Sequence, residues 1–122
     1  MRDFKKLKIW QKAMEIVFEV YELVKAFPSE EKFGLRSQVT RATVSIASNI
    51  AEGSARKGDK EFTRFLYMSM GSASELEYFA ILIADLGLLK KPEARKIETD
   101  AAEVKRMLSG LIASLPLQHD LS

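Results

Sequence analysis

A chain of 122 residues, 47% hydrophobic and 30% charged, is long enough to bury a core as one domain without metal or disulfide staples. With no cysteine, one histidine and a net charge of +2, it excludes disulfide frameworks and thiolate metal sites, and its total charge demands no anionic partner. The N-terminus, MRDFKKLKIWQKAM, lacks the apolar core of a signal peptide, and no run approaches the ~20 apolar residues of a membrane helix, so the chain reads as soluble and cytoplasmic.

The elements follow from apolar spacing, which is helical throughout; no useful period-2 alternation occurs. A first helix is predicted over residues 4–27, with Leu7, Trp10, Met14, Val17, Tyr21 and Val24 as its seam. Ile9, Ala13, Ile16, Val20, Leu23 and Phe27 widen that seam on both sides. Pro28 disfavours helical geometry at Phe27, and Ser29 suits an N-cap. A second helix, from Glu30 or Leu35 to Ala55, puts Val39, Ala42, Ile46, Asn49, Ile50 and Gly53 on one face and Val44, Ala47 and Ala51 on another. Gly58 stops it and Asp59 is placed to cap the third.

The third helix, from Lys60 to Leu88 or Leu89, repeats Phe62, Leu66, Ser69, Ala73, Leu76, Ala80 and Ile83, with Phe65, Ser72, Phe79 and Leu86 alongside. A fourth, from Pro92 to Leu115, carries Ile97, Ala101, Val104, Leu108, Leu111 and Leu115; Pro116 ends it. Short turns between long helices predict an all-α, antiparallel up-down-up-down four-helix bundle. It forms a single domain over residues 1–122, ordered over 4–115, with 116–122 as a frayed tail. A three-helix arrangement with the fourth helix peripheral is the less economical alternative. The first three helices are apolar over more than one stripe, which predicts self-association.

Catalytic constellations are missing from the pattern. The only histidine, His119, falls in the expected tail, so neither a Glu-x-x-His di-iron site nor a Ser-His-Asp triad can be assembled on the helices. EGSARKG lacks Walker spacing. Glu75 and Glu77, two apart on a helix, point away from one another. The reading is therefore non-enzymatic, with no cofactor and no metal. A helix-turn-helix is not supported either, because TRATVSIASNI contains no break.

Charge is uneven: residues 1–64 hold 13 Lys/Arg against 9 Asp/Glu, and residues 65–122 hold 6 against 8. Two basic groups stand out as anion or nucleic-acid candidates: Lys5, Lys6, Lys8 and Lys12 on the first helix, and Arg56, Lys57, Lys60 and Arg64 around the second turn. The first helix bears a stripe, Lys5, Lys8, Lys12, Glu15, Glu19 and Glu22, whose polarity opposes the helix dipole. That predicts a partner, either another subunit's complementary stripe or an anion.

The small and polar residues of the second and third helices read as a packed interface. A turn centred near Lys57 gives antiparallel partners whose numbers sum to about 115 under helix-hairpin geometry. This sets Arg41 near Glu75, Ser45 near Met70 and Gly71, and Glu52 near Arg64. Ser45, Ser48, Asn49, Gly71 and Ser72 then face one another at close range.

The segments WQKA (10–13), FGLRSQVTRATVSIASNIAEG (33–53), EFTRFL (61–66) and GSASELE (71–77) together resemble the bacterial four-helix bundle proteins encoded in intervening sequences of 23S ribosomal RNA genes. The resemblance covers residues 4–89, with no match in the fourth helix. Where the family pattern has a proline before Ser-Asn-Ile, this chain has Ala47, which predicts a straighter second helix. The resemblance implies a ring-shaped homopentamer without enzymatic activity. It is also similar to accessory proteins of diversity-generating retroelements, which implies nucleic acid (RNA or DNA) or a reverse-transcriptase-like protein as partner. The family's ribosomal label reflects gene location and does not imply ribosome binding. The rival reading is a purely structural or protein-interaction adaptor without nucleic-acid binding.

Overall fold

The computed structural model describes residues 2–31 and 34–116. Phe33 in the family-like motif, His119, and the expected tail from residue 117 onward lie outside the described residues. Four long helices carry the chain: α1 (Lys8–Leu23), α2 (Leu35–Ser54), α3 (Asp59–Leu86) and α4 (Lys91–Ser114), with 3-10 turns at Phe4–Lys6, Val24–Ala26 and Ser29–Glu31. No strand occurs among the described residues. Each helix packs against the next, and α4 returns to pack on α1, while α1 and α3 occupy opposite corners. The architecture is an antiparallel four-helix bundle, with α4 an integral member.

The helix ends follow local chemistry. Phe27 adopts an extended conformation before Pro28, with φ −67° and ψ 146°, as a residue preceding proline prefers. Gly58 takes φ +82°, the backbone reversal between α2 and α3 that a side chain would resist. Asp59 is the first residue of α3 rather than its cap. Gly87 (φ +69°) closes α3, and the Leu88 N–H donates to the Ile83 carbonyl at 3.1 Å, satisfying a carbonyl otherwise orphaned at the helix end. In α4, Pro92 occupies the first turn and the Glu93 carboxylate accepts from the Lys90 N–H at 3.2 Å.

The expected seams of α2 and α3 face the core: Val39, Ala42, Ile46, Ile50, Phe62, Leu66, Ala73, Leu76, Ala80 and Ile83 are buried. On α4, Ile97, Ala101, Val104 and Leu108 are buried, but Ile112 takes the inward place in the last turn and Leu111 is only half-buried. On α1 the expected seam is displaced. Ile9, Ala13, Ile16 and Val20 form the buried face, continued by Val24 of the expected seam in the following 3-10 turn, whereas Leu7, Trp10, Met14 and Val17 are half-buried and Tyr21 is exposed. Both stripes have helical spacing, so periodicity is indifferent between them; the neighbours α2 and α4 choose.

The α2–α3 seam is close and polar: a Cβ on Gly53 would lie 2.6 Å from Phe65 Cβ. The Ser69 hydroxyl donates to the Ile46 carbonyl across it at 2.8 Å, fully buried, and Ser45 and Ser72 share a hydroxyl hydrogen bond of 2.8 Å. Asn49 is buried and its amide donates to both the Ser45 carbonyl (2.9 Å) and its hydroxyl (3.0 Å). Such links fix helix register more than they add stability. α2 runs unbroken through TRATVSIASNI, as the lack of a break in that stretch predicts, so no helix-turn-helix forms there.

Candidate functional site

One end of the bundle gathers the cations. The Arg2 N–H donates to the Ser54 carbonyl at 3.3 Å, and its guanidinium pairs with Asp59 and lies 4.1 Å from the Phe62 ring centroid. This pins the N-terminal segment, with Lys5, Lys6 and Lys8, beside the α2–α3 turn, which carries Arg56, Lys57, Lys60 and Arg64. Residues 2–8 and 52–64 hold eight Lys/Arg against four Asp/Glu. The rest of the chain is net acidic, so this end holds the positive potential.

Within that end, arginines and lysines are used differently. Arg56 pairs with Glu52 at 2.9 Å, Arg64 pairs with Glu61 at 3.1 Å, and both guanidinium groups lie against Phe65 at 4.9 and 4.6 Å. The hydrogen bond from Arg64 lowers the Glu61 pKa, and the same bond raises that of Arg64. Arg2, Arg56 and Arg64 lie over the rings of buried Phe62 and Phe65, and each is paired with a carboxylate. Lys5, Lys6, Lys8, Lys57 and Lys60 are exposed and have no ion-pair partner among the described residues. Sequence reasoning missed Arg2, whose role depends on a contact spanning more than fifty residues.

Lys12 does not belong to this group. Its ammonium lies 3.5 Å from Asp100 and 3.3 Å from Glu103 on α4, with only 20% of its side chain exposed. About two turns further along, Glu19 meets Lys96 at 3.5 Å, and Lys96 also holds Asp100 at 2.8 Å. Two members of the α1 charge stripe therefore find partners inside the chain: α4 presents Asp100 and Glu103 to Lys12 and Lys96 to Glu19, while Lys5 and Lys8 have none among the described residues. Asp100 is the cluster's centre, and its place on the buried side of α4 beside Ile97 and Ala101 was a signal available in the sequence.

Burial opposes the charge on Asp100, yet the hydrogen bond from Lys96 and the nearby Lys12 and Lys96 ammonium groups outweigh it and hold its pKa below 3.8. Glu19 is pushed up from 4.5, first by burial and then by the Asp100 charge, and its Oε1 is buried without a partner. Burial also works against charged Lys12, but Asp100 and Glu103 raise it above 10.5 overall.

The polar residues of α2 and α3 divide. Ser45, Asn49 and Ser72 are joined as described, while Ser48 donates only to the Ser45 carbonyl of its own helix at 3.3 Å. Ser45 meets Ser72, one position beyond the expected Gly71, which is exposed. Glu52 pairs with Arg56 on its own helix rather than with Arg64, the shorter i,i+4 reach prevailing over the cross-helix one. Arg41 and Glu75 form no bridge: both are exposed and point away from the seam.

Fold and surface together define a helical bundle with one basic end, in which no described helix is long and apolar enough to cross a membrane. The chain belongs to the 23S rRNA-intervening sequence protein family, whose pattern it matches over residues 5–110. That span includes most of α4, which the motif resemblance had left out. It is similar in structure to a protein of unknown function from the S23 ribosomal protein family of Bacteroides thetaiotaomicron. The TM-score is 0.79 and the identity 25%, covering 85% of this chain and 97% of the other. None of the curated proteins compared matches the chain.

Proposed function

We propose that this protein is a non-enzymatic bundle that self-assembles, as a homopentamer in the form its family resemblance implies, and binds RNA through its basic end. The observation that supports the RNA reading is that Lys5, Lys6 and Lys8 lie at the same end of the bundle as Lys57 and Lys60, where Arg2 is anchored on Ser54 and Asp59. Five ammonium groups with no ion-pair partner among the described residues, at one end of an otherwise net acidic chain, suit phosphate oxygens. They carry no base-reading geometry, and Phe62 and Phe65 are too buried to stack on bases. Binding of this kind is sequence-independent and salt-sensitive.

The test is titration of a structured RNA at several salt concentrations. With all five lysines engaged, log K falls against log salt with a slope of about −3.5 to −4.5. Replacing Lys57 and Lys60 by Gln lowers that slope by about 1.4–1.8, while Lys90→Gln with Lys91→Gln at the opposite end leaves it unchanged. Absence of binding at low salt, or an affinity indifferent to salt, refutes the RNA reading and leaves the adaptor one.

A further inference from the structure

Two surfaces among the described residues present apolar side chains to solvent outside the core and the basic end. The first is a groove between α1 and α2, floored by Trp10, Met14, Val17, Val44 and Ala51 and continued past Tyr21 to Arg41. The second is the crest of α3, where Tyr67, Met68, Gly71, Glu75 and Tyr78 recur at helical spacing and are all exposed. Because α1 and α3 stand at opposite corners, the two surfaces belong to different sides of one bundle.

Their charges match. Arg41 borders the groove and Glu75 sits in the middle of the crest, and neither has an ion-pair partner within the described residues. Tyr, Met and Arg are the residue types enriched at protein interfaces. A Cβ on Gly71 would meet nothing within 4 Å in the chain, so this glycine has no packing reason inside the bundle but leaves room for an approaching helix. Phosphate is an unsuitable occupant of the crest, since Glu75 would repel it.

We propose that the α3 crest of one copy docks in the α1–α2 groove of the next, with Glu75 meeting the neighbour's Arg41. The contact joins two different surfaces, so it is heterologous and propagates head to tail until rotation closes a ring. This deepens the self-assembly reading and rests on it: it names the faces that meet.

The test is the mass of the full chain by sedimentation velocity over a range of concentrations, with circular dichroism to verify helix content. The wild type sediments as a multimer. Arg41→Glu and Glu75→Arg each weaken assembly about tenfold or more and leave the monomer folded, and Gly71→Gln, which fills the approach with a good helix former, does the same. Mixing the two charge variants restores most of the assembly, because opposite charges again meet between unlike copies; a bridge within one chain could not produce that recovery. A monomeric wild type overturns self-assembly itself. A multimeric wild type whose variants all assemble normally, or whose charge variants fail to recover on mixing, overturns this pairing of faces alone.

Discussion

Replacing Gly53 by alanine should destabilise the protein, against the usual rule for helices. In an exposed helix interior Gly→Ala gains about 1 kcal/mol, because alanine restricts the unfolded chain. Gly53 is buried near the end of α2, and a Cβ there would lie 2.6 Å from Phe65 Cβ and 3.2 Å from a Phe62 ring carbon. The Phe65 Cβ is fixed to its own backbone, so no rotamer change relieves the contact and α2 must move away from α3. Overpacking of this kind costs about 1–3 kcal/mol, and a 2.6 Å approach to a fixed Cβ belongs in the upper part of that range, about 2–3 kcal/mol, which exceeds the helix gain. The expected net loss is about 1–2 kcal/mol, a fall of roughly 4–8 °C in Tm for a chain of this size. Gly110→Ala is the control: the site is exposed on α4 and its Cβ would meet nothing within 4 Å, so a gain of up to about 1 kcal/mol is expected. Urea unfolding followed by helical circular dichroism, at one protein concentration so that assembly contributes equally, measures both. A Gly53→Ala protein as stable as the wild type would refute the close approach of α2 and α3.

Ser69→Ala removes the buried donor to the Ile46 carbonyl and is expected to cost about 1 kcal/mol in the same unfolding assay. Asp100→Asn weakens the acceptor shared by Lys12 and Lys96, for an expected loss of about 1–3 kcal/mol at pH 7. Because Asp100 titrates below its ordinary 3.8, its stabilisation is present above that value and lost as pH falls through the folded one, so wild type and variant converge in acid. Glu19 has the opposite sign. Its raised pKa means that its ionised form opposes folding at neutral pH and its protonated form does not. Glu19→Gln therefore stabilises at pH 7, and the difference disappears as pH falls through the raised value towards 4.5 and below. Parallel stability–pH curves for wild type and Glu19→Gln would contradict that assignment.

The sequence by itself determined the helical class, the turns and the inward faces of α2 and α3, because apolar period and Gly or Pro punctuation are local properties. Phe62, Leu66, Ala73, Leu76 and Ile83 needed no neighbour to be recognised as one stripe. The tertiary structure alone decided which of the two stripes of α1 is core, since Trp10–Met14–Val17–Tyr21 and Ile9–Ala13–Ile16–Val20 have the same spacing and differ only in what stands opposite. It also decided the fate of the charges. Glu52 found Arg56 close by on its own helix, Lys12 left the anion-binding set because α4 places Asp100 and Glu103 against it, and Arg2 entered the basic end through contacts with Ser54 and Asp59. A charge is legible in sequence, but its partner is fixed by packing: ionic groups have no period, and Coulombic energy depends on distances that only the assembled helices define.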